Sequence, residues 1–97
     1  MMLSIIEATY VKDFRIHLKF NDGKTGEVDL QDFIMKEKRP VFSPLKNPES
    51  FRSFDLNFDT LTWKNNEIDL APEYLYFQAF KDVPELQSTF KKWGYVA

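Results

Sequence analysis

Phe14-Arg15-Ile16-His17-Leu18-Lys19-Phe20, followed by Asn21-Asp22-Gly23, is the stretch on which the fold turns. Apolar and polar residues alternate without a break. Phe14, Ile16, Leu18 and Phe20 fall on one face, and Arg15, His17 and Lys19 on the other. That period of two predicts a strand of an antiparallel sheet with one buried face. Asp22-Gly23 then supplies the positive φ of a tight hairpin, and Lys24 to Val28 returns as the next strand. Upstream, residues from Ile5 lead into a Lys12-Asp13 turn, which makes the unit a three-stranded antiparallel meander.

Past the meander, Glu27-Val28-Asp29-Leu30-Gln31-Asp32-Phe33 reads as a strand end handing over to a helix, with Asp29 as its cap and Asp32 in the first turn. The cations of Lys36-Glu37-Lys38-Arg39 suit its end, and Pro40 stops it. Residues 40–47 read as a loop anchored by Phe42 and Leu45, and Pro48 opens one helical turn. Two short strands, Phe54 to Phe58 and Leu61 to Trp63, are expected to join at Asp59-Thr60, with a last short strand at Ile68 to Leu70. Pro72 then starts a helix, and Asp82-Val83-Pro84-Glu85 resembles a capping box opening another, which ends at Gly94. The expectation is an α+β chain: the meander, a helix, two to three further short strands and two C-terminal helices packed on the sheet. Residues 1–80 form the core domain, and residues 81–97 a C-terminal helix packing on that core or on a partner.

Bulk composition bounds the function. Ninety-seven residues make one domain. Ten Phe must be buried together or against a partner, which argues against disorder. Without Cys there is no thiolate nucleophile, thiolate metal site or disulfide. The first ten residues lack the pattern of a signal peptide, and no run of about 18 apolar residues spans a membrane, so a cytoplasmic location is expected. Split at Pro48, the first part carries 8 basic and 7 acidic residues and the second 5 and 8. Neither is a polycation, so nucleic-acid binding has little electrostatic support.

Glu67, Asp69 and Glu73 crowd seven positions, but each has a local role at a strand-to-helix junction. Calcium would need a central Gly among alternating oxygen ligands, and zinc would want more than the single His17. Gly23 and Gly26 flank Lys24-Thr25 without Walker spacing, and suit a hairpin better than a phosphate. No catalytic residue, metal or cofactor is expected.

The ordered set Phe20-Asn21-Asp22-Gly23, Gly26-Glu27-Val28-Asp29-Leu30, Phe42, Leu45, Phe51, Trp63, Asn66, Asp69, Ala71-Pro72 and Leu75-Tyr76 resembles the bacterial Domain of Unknown Function 2442 family over roughly residues 5–80. The family turn before the second Asp-Leu is usually Asn-Gly, and here it is Asn65-Asn66. The resemblance implies a small α+β domain with no established activity. It also implies relatives encoded beside a second small protein, as in toxin–antitoxin pairs, and relatives with an appended helix-turn-helix. Residues 81–97 are too few for such a DNA-binding domain.

Three functional readings follow. The preferred one is a non-enzymatic protein-interaction domain, forming a homodimer or binding a small protein encoded nearby. Its partner surface would be the C-terminal aromatics Phe77, Phe80, Leu86, Phe90 and Trp93, with Asp29 and Asp82 as helix caps. A second is a ligand-binding or hydrolytic domain with a pocket near Trp63, Asp69 and Tyr76. A third is a nucleic-acid regulator acting through Arg15 and Lys19.

Overall fold

The computed structural model describes residues 2–97. Strands β1 (Ile5–Lys12), β2 (Arg15–Phe20) and β3 (Thr25–Asp29) form an antiparallel sheet in sequence order. The alternation in β2 sets the faces: Ile16, Leu18 and Phe20 are fully buried, while His17 is exposed. Asp13 and Gly23 take the left-handed backbone in the two connecting turns. Asp22 Oδ1 accepts the Lys24 amide at 2.9 Å and tightens the second turn. β1 is irregular, with register shifts at Ile5/Glu7 and Tyr10/Lys12. The extra residues at these bulges, Ile6 and Val11, are 49% and 44% exposed.

Helix α1 (Gln31–Lys36) is short. Its N-cap position is Leu30, and Asp29 lies one residue further out, where its Oδ1 accepts the Gln31 amide at 3.0 Å. Instead of the expected loop, Pro40–Lys46 coils as a 3-10 helix that buries Phe42 and Leu45. Helix α2 (Pro48–Phe51) is one turn, capped by the Asn47 side chain on the Glu49 amide.

A second antiparallel sheet contains β4 (Asp55–Asn57), β5 (Thr60–Trp63) and β6 (Ile68–Asp69), with β5 central and buried throughout. It meets the first sheet along β1, where the Ile5 amide donates to the Asp59 carbonyl at 2.9 Å. Helix α3 (Pro72–Phe80) starts with Pro at its first position and lies on β3. Its approach is possible because Gly26 faces it: a Cβ there would stand 2.9 Å from Phe80 Cε1. The glycine expected to serve the hairpin therefore serves helix packing.

Helix α4 (Gln87–Trp93) follows a 3-10 turn, Pro84–Leu86, and closes on Gly94 at φ 86°. Asp82 does not cap this segment, contrary to the capping-box reading. Pro84 holds Val83 extended as the N-cap residue, which leaves Asp82 one position too far out. The Gln87 side chain ties the junction instead, donating to the Lys81 and Val83 carbonyls at 2.9 Å each. One contiguous core draws on both sheets and on all four helices through Ile34, Phe51, Leu75 and Phe90.

Candidate interaction surface

The clearest surface feature is the β4–β5 hairpin. Asn57 pairs with Thr60, so the loop is the two residues Phe58-Asp59 and not Asp59-Thr60. Both are left-handed, at φ 55° and 68°, as a two-residue turn matching the strand twist requires. Asp tolerates that region; Phe is strained in it by about 1–2 kcal/mol. Phe58 is also 77% exposed, with Leu56 beside it on the rim of β4. The Asp59–Ile5 bond holds the tip against β1. Asp55 and Asp59 bracket the apolar pair, both exposed. Asn57 Nδ2 donates to Asn66 Oδ1 at 3.0 Å, bringing the left-handed Lys64-Asn65-Asn66 turn alongside.

A second feature lies where α1 ends. The chain from Met35 to Lys46 walls a groove of about 560 Å³ that holds Lys36, Lys38, Arg39 and Lys46 with a single carboxylate, Glu37. Arg39 is committed locally. Its Nε and Nη2 grip the two Glu37 oxygens at 2.9 Å each, and its guanidinium lies 4.6 Å above the Phe42 ring. The Arg39 hydrogen bonds hold the Glu37 carboxyl down to about 2. Lys36, Lys38 and Lys46 make no salt bridge among the described residues, and Met35 and Val41 remain exposed. A neighbouring groove of about 620 Å³ between α1 and α3 mixes Asp29, Asp32 and Glu37 with Lys36, Lys38 and Lys81. Burial raises the pKa of Tyr74 on its wall.

The residues singled out from sequence are dispersed. Phe80 and Phe90 are buried in the chain's own core, which removes them from any partner-facing set. Phe77 and Leu86 are half-buried, with Phe77 stacked on Tyr95 at 4.9 Å. Trp93, 39% exposed, is the most accessible of the five. Trp63 lines a groove of about 370 Å³ that includes neither Asp69 nor Tyr76. Trp63 is buried and donates to the Phe51 carbonyl at 2.7 Å; Asp69 is exposed at a strand end. Tyr76 packs on Phe20 in the first sheet and donates to Asp22 Oδ2 at 2.8 Å. Burial, with the Asp22 carboxylate accepting from the hydroxyl, pushes the Tyr76 pKa up to about 12. Glu67 is exposed and Glu73 half-buried, and no group of three candidate metal ligands forms among the described residues. On the outer face of β2, Arg15 is neutralised by Glu27 at 3.3 Å and Asp29 at 3.5 Å, which breaks up the basic stripe with Lys19.

A family model described as protein of unknown function (DUF2442) matches residues 5–81. The chain belongs to this family. No curated protein and no solved structure matches it. The DUF2442 span takes in both the Phe58 hairpin and the Lys36–Lys46 groove, and it stops before α4. Among the described residues no helix is long and apolar enough to cross a membrane.

Proposed function

We propose that the chain is a non-enzymatic protein-interaction domain whose contact surface is centred on the β4–β5 hairpin and not on the C-terminal aromatics. The observation that carries this reading is Phe58, a large aromatic left 77% in water on a left-handed backbone. Burying such a ring is worth about 1.5–3 kcal/mol, and a left-handed Asn or Gly in its place would remove the strain. Retaining both costs at one position fits a residue that is buried only when something else arrives. The polar side chains that sequence patterns offered for chemistry are occupied with structure: Asp29 holds the Gln31 amide, Asp22 holds Lys24 and Tyr76, and Arg15 holds two carboxylates. The partner is a second copy or a small protein encoded nearby.

Photo-crosslinking in the native host tests the reading. A benzophenone side chain at position 58 is expected to give a discrete adduct, with the same group at Ser88, exposed on α4, as background. No adduct above that background would refute it.

A further inference from the structure

The two surface features complement each other. Residues 36–46 hold four cations and one carboxylate; the remainder of the chain holds nine cations and fourteen carboxylates. The excess positive charge is therefore gathered in one segment of an otherwise acidic molecule. Met35, an exposed apolar side chain, lines the same groove, and the exposed Val41 directly follows its wall residue Pro40 in the chain. The hairpin presents the reverse: Asp55-Leu56-Asn57-Phe58-Asp59, two exposed carboxylates bracketing two exposed apolar side chains, with Lys64 as the neighbouring cation. Among the described residues no hydrogen bond or salt bridge joins this hairpin to that groove within one chain.

We propose that the hairpin tip of one copy docks in the Lys36–Lys46 groove of a second copy, with Phe58 and Leu56 against Met35 and Val41 and with Asp55 and Asp59 facing Lys38 and Lys46. This rests on the interaction-domain reading and names its partner. In a reciprocal arrangement each chain gives its hairpin and receives its partner's, which buries both hairpins and closes as a two-fold dimer. The carboxylate–lysine pairs select the register and make association salt-dependent, while Phe58 supplies the anchor.

The test is sedimentation equilibrium of the full chain from about 10 μM to about 1 mM, the range of weak association. Wild type is expected to dimerise. Phe58→Asn, which suits the left-handed turn and so keeps the fold, weakens the dimer about tenfold or more, as loss of an interface anchor does. Lys38→Glu with Lys46→Glu, both on the surface, does the same, and raised salt weakens the wild-type dimer. Far-UV circular dichroism checks each variant's fold. A wild type that stays monomeric at the top concentration overturns the proposal. So does a dimer indifferent to either the Phe58 or the lysine substitutions. In the crosslinking experiment an adduct to a different protein, with a monomeric chain here, ends this inference and leaves the interaction-domain reading standing; absence of any adduct ends that reading.

Discussion

Gly26→Ala tests how α3 is seated on the first sheet. A glycine in the middle of a strand is ordinarily a weak point, and alanine there should stabilise by about 0.4–1 kcal/mol through the unfolded chain. Gly26 has no positive φ to protect, so backbone geometry gives no reason against the change. Packing gives a strong one. The new methyl would sit 2.9 Å from Phe80 Cε1, 3.2 Å from Phe80 Cζ and 3.2 Å from the Ala79 methyl. Phe80 is itself held between Phe20, at 5.8 Å between ring centroids, and Tyr76, at 4.7 Å. These two rings limit the directions in which it can yield. Overpacking of this kind costs roughly 1–3 kcal/mol. Set against the entropic gain, a net loss of about 1–2 kcal/mol is expected, or some 5–15 °C in Tm for a domain of this size. Urea denaturation followed by circular dichroism measures it, with the midpoint falling and the slope unchanged. Phe80→Leu in the same chain should recover part of the loss, showing as a coupling of at least about 0.5 kcal/mol. Gly23→Ala is the contrast. Nothing lies within 4 Å of that site, but φ is 89°, so its cost is backbone strain and does not couple to Phe80. If Gly26→Ala leaves Tm unchanged or raises it, the reasoning about helix approach is wrong.

Phe90→Ala removes a fully buried ring and should cost about 3–5 kcal/mol, whereas Trp93→Ala, at a side chain already 39% exposed, should cost far less in the same urea titration. Tyr76 has its pKa raised to about 12 in the fold against an ordinary 10.0, so the fold favours its neutral form. Its contribution is complete below pH 10 and is lost as pH rises from there through about 12, by at most about 2–3 kcal/mol. Tyr76→Phe should flatten that part of the alkaline stability profile, and an unchanged profile would count against the Asp22 bond. Phe58→Asn should raise monomer stability by about 1 kcal/mol, because strain of roughly 1–2 kcal/mol is relieved and only the minor buried part of the ring is lost. Thermal melts at low concentration read this, and a marked fall in Tm would mean that Phe58 belongs to the core.

The parts of the fold that were legible are those where local pattern and tertiary need agree. β2 reads directly because strict alternation has one physical meaning, and Asp22-Gly23, Pro72 and Gly94 mark boundaries through backbone geometry alone. The shift at Asp82 has a local cause that outweighs the capping signature, since Pro84 fixes Val83 extended. Phe58-Asp59 could not be read as the turn, because Phe is disfavoured in it on local grounds. The burial of the C-terminal aromatics was hidden for a different reason. Residues 74–80, Tyr-Leu-Tyr-Phe-Gln-Ala-Phe, are apolar nearly all round, so periodicity cannot say which rings are covered. In the structure α4 folds back and Phe90 meets Phe77 at 5.1 Å, closing the cluster that had looked like a partner surface. The lysine groove was visible only as a helix C-terminus, since the sequence does not show that Arg39 takes up Glu37 and leaves Lys36, Lys38 and Lys46 without a salt bridge among the described residues.

What separates the hairpin from ordinary surface is that two independent costs coincide there. An exposed Phe alone is common, and a left-handed non-glycine residue alone is often a turn requirement. Here the residue at the turn is the one side chain that makes the turn harder to form, and the chain gains little intramolecular packing from it. A domain of 97 residues holds roughly 5–15 kcal/mol in all, so about 3 kcal/mol forgone at one position is a substantial share. Phe77, Phe80 and Phe90 show how this sequence treats aromatics that serve the fold: it covers them with other aromatic rings. Phe58 is treated differently, and it is flanked by charges opposite to the excess charge of the lysine groove. Binding a second surface would recover the forgone burial and neutralise both sets of charges in one step, which neither local turn formation nor core packing can do.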